Sequence, residues 1–186
     1  TYDAILNNFN TLVKYLPESK MFTALTFKKV YNDIYKTFDK KELKELNINV
    51  IILAKGINRF NPYYAYKISK YLDKYDIVHV HIFPSSYQVA LASLFNKESA
   101  PIVFTEHNSF NRRASNFLFK HVENFVYKKF SHIVCLSQQV FNFVYNNLNV
   151  NKSKLTIIEN AIDINAVTNS LKLAKDEMCF DFDDFL

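Results

Sequence analysis

The chain has 186 residues, 49 % hydrophobic and 16 % aromatic, which excludes a disordered segment and allows one domain with a substantial core. Its single glycine, Gly56, excludes a dinucleotide fingerprint and a P-loop, since both need several glycines for backbone to approach phosphate. The formal net charge of +5 is carried by scattered lysines and pairs such as Lys28-Lys29, Lys40-Lys41 and Lys128-Lys129. That argues against nucleic acid and leaves a solvated lysine-rich surface or attraction to an anionic membrane face.

In chain order, Ile5, Leu6, Phe9, Leu12, Val13 and Leu16 predict a helix over residues 3–16, ended by Pro17. Residues 21–27 alternate as a strand, 28–47 are polar helical material, and Val50-Ile51-Ile52-Leu53 is a buried strand before the Gly56 turn. Asn61 caps the next helix with Pro62 at its first position, and Tyr66, Ile68, Tyr71 and Leu72 form its apolar side.

Residues 75–104 organise the rest. Ile77, Val78, Val80 and Ile82 form the apolar run of a strand buried on both faces. Ser86 caps a helix whose apolar side is Val89, Leu91, Ala92, Leu94 and Phe95, and Ile102-Val103-Phe104 follows Pro101 as a second strand. Strand, crossover helix and strand make a βαβ unit with parallel strands. Residues 112–130 then predict one long helix with Phe117, Leu118, Val122, Phe125, Val126 and Phe130 as its core stripe. Residues 131–136 predict a strand, Ser137 the cap of helix 138–148 with Val140, Phe141, Val144, Tyr145 and Leu148 inward, and residues 154–158 the last strand. The alternation predicts an α/β fold, a Rossmann-like, mostly parallel sheet with helices on both faces.

Cys135 lies inside an apolar strand and reads as a buried thiol. Neither it nor Cys179 has a Cys-x-x-Cys partner, so a reducing cytoplasm fits better than a disulfide framework. No run reaches the roughly 20 apolar residues of a membrane span. Asn7, Asn8 and Asn10 break a signal-peptide reading of the first helix.

Ligands of open α/β sheets sit beyond the carboxyl ends of the strands, where His79, His81, Thr105, Glu106 and His107 cluster. His107 there can donate to a hydroxyl or phosphate, act as general base, or only bond its own loop. His79 and His81 share one side of a strand, but a zinc site needs three or four ligands and no third is evident, so no metal is expected. Arg112 and Arg113 can hold a phosphate or carboxylate, or ion-pair on the surface. Ser137 lacks a Gly-x-Ser-x-Gly elbow and reads as a helix cap. Glu159-Asn160 and Asp163 lie just past the last strand.

Four segments in order, YDIVHVHIF (75–83), PIVFTEHNS (101–109), SHIVCLSQQV (131–140) and KLTIIENAID (154–163), resemble the N-terminal half of family 4 glycosyltransferases, which have the two-domain GT-B fold. The resemblance covers roughly residues 45–186. It implies an acceptor-binding Rossmann-like domain over residues 1–163. Residues 164–186 would be a linker toward a C-terminal domain that binds most of the nucleotide-sugar. It also implies that His107 stands near the transferred sugar as the catalytic candidate. His81, Glu106, Asn108, Arg112, Arg113 and Asn160 would be substrate-binding residues, with no metal and no further cofactor.

The implied partners are a nucleotide-sugar donor and a saccharide or lipid-linked acceptor, as in polysaccharide or glycolipid synthesis. Peripheral membrane association at the inner face of a cytoplasmic membrane fits the lysine- and tyrosine-rich helices. The sequence departs from the family in three places. Its first strand and Gly-rich loop do not appear before Asp3, its Asn-Gly is Asn160-Ala161, and its C-terminal domain is not seen after DDFL (183–186). The expectation is therefore a half without turnover of its own. A non-catalytic α/β binding module, or half of a GT-B-type sugar-nucleotide epimerase, shares much of the pattern.

Overall fold

The structure is a computed structural model and describes residues 22–27, 32, 34, 35, 39–54, 60–81, 83–96 and 98–159. The helix expected at 3–16 and the tail at 164–186 lie outside the described residues. Among the described residues six strands alternate with helices: β1 (Phe22–Phe27), α1 (Lys40–Glu45), β2 (Ile48–Ala54), α2 (Tyr63–Ser69), β3 (Val78–His81), α3 (Ser85–Ala92), β4 (Ile102–Glu106), α4 (Arg112–Ser115), α5 (Phe117–Lys128), β5 (His132–Cys135), α6 (Gln138–Asn147) and β6 (Leu155–Ile157). β1 pairs with β2, and β3, β4, β5 and β6 lie side by side in sequence order. Every described pairing is parallel. This is the α/β architecture the alternation predicts.

Sequential order has a consequence. Right-handed crossovers between neighbours taken in one direction put their helices on one face of the sheet. That face holds the core. Val80, Ile102, Phe104, Ile133, Cys135 and Leu155 of the strands meet Val89 of α3, Val126 and Tyr127 of α5, and Val140 and Val144 of α6. The opposite face carries His79, Val103, Thr105, His132, Val134 and Thr156, and among these only Thr105 is fully buried. The expectation that β3 is buried on both faces is therefore corrected: its burial alternates, as that of a strand covered on one side does. Ile82 lies outside the described residues.

With glycine almost absent, other residues take the turns. Asn47, after α1, adopts the left-handed φ of 58°, and its N–H donates to the Lys44 carbonyl at 3.1 Å. Asparagine is the usual substitute for glycine there. Asn61 caps α2 as expected, accepting from the Tyr63 N–H at 3.0 Å, and Ser137 caps α6, accepting from Val140 at 3.3 Å.

Three local expectations are corrected. The Pro84 carbonyl accepts from the N–H groups of Tyr87 and Gln88, so α3 starts at Ser85 and Ser86 is buried inside its first turn rather than capping it. The helix stops at Ala92, which leaves Leu94 and Phe95 beyond it and exposed. The long helix is divided at Asn116, whose backbone is extended and whose side chain accepts from the Phe119 N–H at 3.3 Å. Its stripe is then divided too. Val126 and Phe130 are buried together with Glu123 and Tyr127, while Phe117 is 77 % exposed and Val122 and Phe125 face outward. The Leu118 side chain lies outside the described residues.

The two faces of α5 should differ sharply in energy. Phe130→Ala is expected to cost about 3–5 kcal/mol of unfolding free energy, as for a fully buried ring. Phe117→Ala should cost no more than about 0.5 kcal/mol. Urea unfolding of the two variants checks this, and equal losses would contradict the inward face assigned here.

Candidate functional site

β3 and β4 end side by side, with His81 paired in register with Thr105. Side chains alternate along each strand, so His79, His81 and Thr105 project from the same face of the sheet. His79 Nε2 lies 2.7 Å from the Thr105 hydroxyl, and the rings of His79 and His81 lie 4.2 Å apart between centroids, tilted by 42°. His107, the first residue after β4, brings its Nε2 to 3.4 Å from His81 Nδ1, with the two rings 5.7 Å apart. The sequence thus placed His81 and His107 together correctly, at the carboxyl ends of adjacent parallel strands.

Burial holds the His81 imidazole down at about 3, with repulsion from His79 and His107 adding to it. Burial also lowers His107. Near pH 7 both rings are therefore neutral, and each offers one N–H donor and one acceptor nitrogen. Where they meet, one nitrogen donates and the other accepts. Of the two remaining nitrogens, one is a neutral donor and the other a neutral acceptor. Among the described residues no group of three or more His, Cys, Asp or Glu side chains is disposed to hold a metal ion.

Glu106 precedes His107 but projects from the opposite face, toward α5. Expected as a ligand contact, it is 4 % exposed and its carboxylate is engaged by the protein. Oε1 accepts from the Asn108 N–H at 2.9 Å and from Asn108 Nδ2 at 3.1 Å, and Oε2 accepts from the Tyr127 hydroxyl of α5. Burial pushes this carboxyl up, against the pull of those hydrogen bonds.

One turn earlier on α5, Glu123 is buried as well. It accepts from Arg113 Nε at 2.7 Å, from Asn111 Nδ2 at 3.0 Å and from the Tyr87 hydroxyl of α3. Arg113 also lays its guanidinium over the Phe83 ring at 3.9 Å. This arginine, expected as a substrate contact, is thus held by an ion pair and a ring, and it ties the loop after β3 to α4 and α5. Asn108 is exposed at the rim beside His107. The Arg112 side chain and Asn160 lie outside the described residues.

Sequence reasoning missed Glu123, Tyr127 and Asn111. One signal was available: Glu123 falls on the same helical face as Val126, Tyr127 and Phe130, and an acid among core positions needs a buried partner. Thr105 was seen in the cluster, but not as the partner of His79. A second bond of the same kind links His132 Nε2 to the Thr156 hydroxyl at 2.7 Å across β5 and β6.

Residues 34–166 match the sequence model of the family described as Glycosyltransferase Family 4. Among solved structures, the fold is similar to that of Anabaena Alr3699/HepE in complex with UDP and glucose, with a TM-score of 0.53 and 16 % identity over 81 % of this chain and 50 % of that one. The same protein in complex with UDP-glucose gives a TM-score of 0.54 and 17 % identity over 78 % of this chain and 45 % of that one. This chain therefore spans about half the length of the solved proteins it matches. No curated protein matches it significantly by sequence.

The neutral histidines set a pH dependence. An unfolded chain takes up protons on His81 from its ordinary value of 6.5 downward, while the folded chain resists until about 3. The unfolded state binds more protons across that window, so stability falls as the pH drops through it. The melting temperature is expected to fall between pH 7.5 and pH 4.5, and to fall less in His81→Phe. Thermal unfolding followed by circular dichroism at the two pH values checks it. An undiminished fall in the variant would remove His81 from the account.

Proposed function

The chain belongs to glycosyltransferase family 4, and we propose that it is the acceptor-side half of an enzyme that moves a sugar from a nucleotide-sugar to a saccharide or lipid-linked acceptor. One observation carries the reading: two neutral imidazoles, His81 and His107, meet at the carboxyl ends of adjacent parallel strands. Uncharged donors and acceptors fixed in a cleft recognise hydroxyl groups without attracting competing anions. The complexes of the fold neighbour with UDP, glucose and UDP-glucose support a uridine-diphosphate sugar as donor.

In this reading His107 hydrogen-bonds a hydroxyl of the sugar being transferred and orients its anomeric carbon. His81 fixes the tautomer and direction of His107 and lines the acceptor side, and Asn108, at the rim, contacts the acceptor. Transfer builds an oxocarbenium-like centre and a diphosphate leaving group, whose charge must be met by groups aimed at it. Arg112 and Asn160 are the remaining candidates on this half for such contacts. The cations that meet the diphosphate would come mainly from a donor-binding domain, so these 186 residues alone would not turn over.

Among the described residues no helix is long and apolar enough to cross a membrane. Association with the inner face of a membrane would instead be peripheral, through lysines beside exposed tyrosines such as Lys67 over Tyr63 and Lys70 over Tyr66.

Turnover of UDP-glucose, followed as UDP release by the protein joined to its donor-binding half, tests this. His107→Ala is expected to lower kcat about a hundredfold or more, with little change in melting temperature. Full turnover in that variant would overturn the role given to His107. Turnover by these residues alone would overturn their assignment as an incomplete half.

A further inference from the structure

We propose that Glu106 and Tyr127 are positioning residues that set the direction of the His107 ring, and that α5 is the strut they work through. The inference rests on the reading that His107 serves the site, and it adds what holds that ring in place. Glu106 reaches past His107 to take both the backbone and the side-chain N–H groups of Asn108 on one oxygen. The bridge spans residues 106 to 108, so the residue between them is fixed at both sides. With Glu106 facing α5, His107 is turned to the other face of the sheet, where His81 waits at 3.4 Å.

The second oxygen of Glu106 is occupied by the Tyr127 hydroxyl, which prevents the carboxylate from swinging out of its bridge. Tyr127 itself is 3 % exposed and packs edge-on against Phe104 of β4 and against Phe130. Its hydroxyl is therefore carried by a rigid part of the core. At the far end of the same loop, Asn111 gives its amide N–H to Glu123 of α5. The loop between β4 and α4 is thus moored at residue 108 through Tyr127 and at residue 111 through Glu123, both on one helix. Neither Glu106 nor Tyr127 touches the space a sugar would occupy, so each would act through His107. A displacement of the order of 1 Å at such a group can cost about a hundredfold in rate.

Histidine ¹⁵N NMR across a pH titration, on the unliganded protein, reads the ring directly. In Tyr127→Phe, which keeps the ring and loses only the hydroxyl, the titrations of His107 and His81 should move up toward the ordinary value of 6.5 as the pair loosens. In Glu106→Leu they should move further. Glu106→Gln should restore the wild-type titration, because its oxygen still accepts from Asn108 and its amide can donate to Tyr127. Tyr87→Phe, which removes a partner of Glu123 but not of Glu106, serves as the control and should leave both titrations in place.

Folded Tyr127→Phe and Glu106→Leu proteins whose His107 titrates as in the wild type would overturn the proposal. Should Glu106→Leu fail to fold, Tyr127→Phe and Asn108→Ala carry the test alone. No substrate enters the measurement. A protein that shows these titration changes yet loses no turnover in His107→Ala would sink the transferase role of His107 and leave the mooring intact.

Discussion

Two carboxylates taken out of water govern how the elements meet around the ends of β3 and β4. Glu106 and Glu123 are 4 % and 1 % exposed, and a buried carboxylate is tolerated only when its oxygens are supplied with donors. Those donors come from every neighbouring element: Tyr127 from α5, Asn108 and Asn111 from the loop after β4, Arg113 from α4 and Tyr87 from α3. Removing one donor leaves part of a buried carboxylate without a hydrogen bond, which typically costs about 1–3 kcal/mol. The loop bearing His107 is therefore held in position by the interior.

That constraint connects with the sheet. Because β3 to β6 run in sequence order, their helices pack on one face and the core forms there. The other face carries Val103 and Val134 beside histidines and threonines that are bonded diagonally from strand to strand, as His79 to Thr105 and His132 to Thr156. At its carboxyl edge the same alternation that sends Phe104 and Glu106 into the core sends Thr105 and His107 the other way. Burial and mutual repulsion keep His81 neutral, so the edge presents polar atoms without charge.

Much of this was legible in the sequence. The parallel βαβ unit over residues 75–104, the caps Asn61 and Ser137, and the meeting of His81 with His107 all follow from apolar runs and side-chain alternation. What was not legible has a common cause. Ser86 and Asn116 are residues whose local roles depend on which backbone groups are already bonded. The Pro84 carbonyl displaced Ser86 from the cap position, and Asn116 broke a run that periodicity alone read as continuous. The inward direction of Glu106 was not legible for a related reason. Its place beside His107 in sequence suggests a shared site, but neighbours on a strand point to opposite faces, and the carboxylate went with the core.

Helix α5 shows why the buried acid carries information that hydrophobicity does not. Phe117, Val122 and Phe125 make one apolar side, and Val126, Tyr127 and Phe130 make another. A helix with two such sides gains comparable area whichever it buries, so the hydrophobic effect alone leaves its rotation poorly specified. Only one rotation brings Glu123 to Arg113, Asn111 and Tyr87 while carrying Tyr127 to Glu106. Rolled the other way, Glu123 would return to water, and Arg113, Asn111, Tyr87 and Glu106 would each lose this partner. The choice between near-equal apolar faces is thus made by hydrogen bonds. Two of these bonds, Asn111 to Glu123 and Tyr127 to Glu106, also moor the loop that holds His107 against His81, so the rotation of α5 and the position of that loop are settled together.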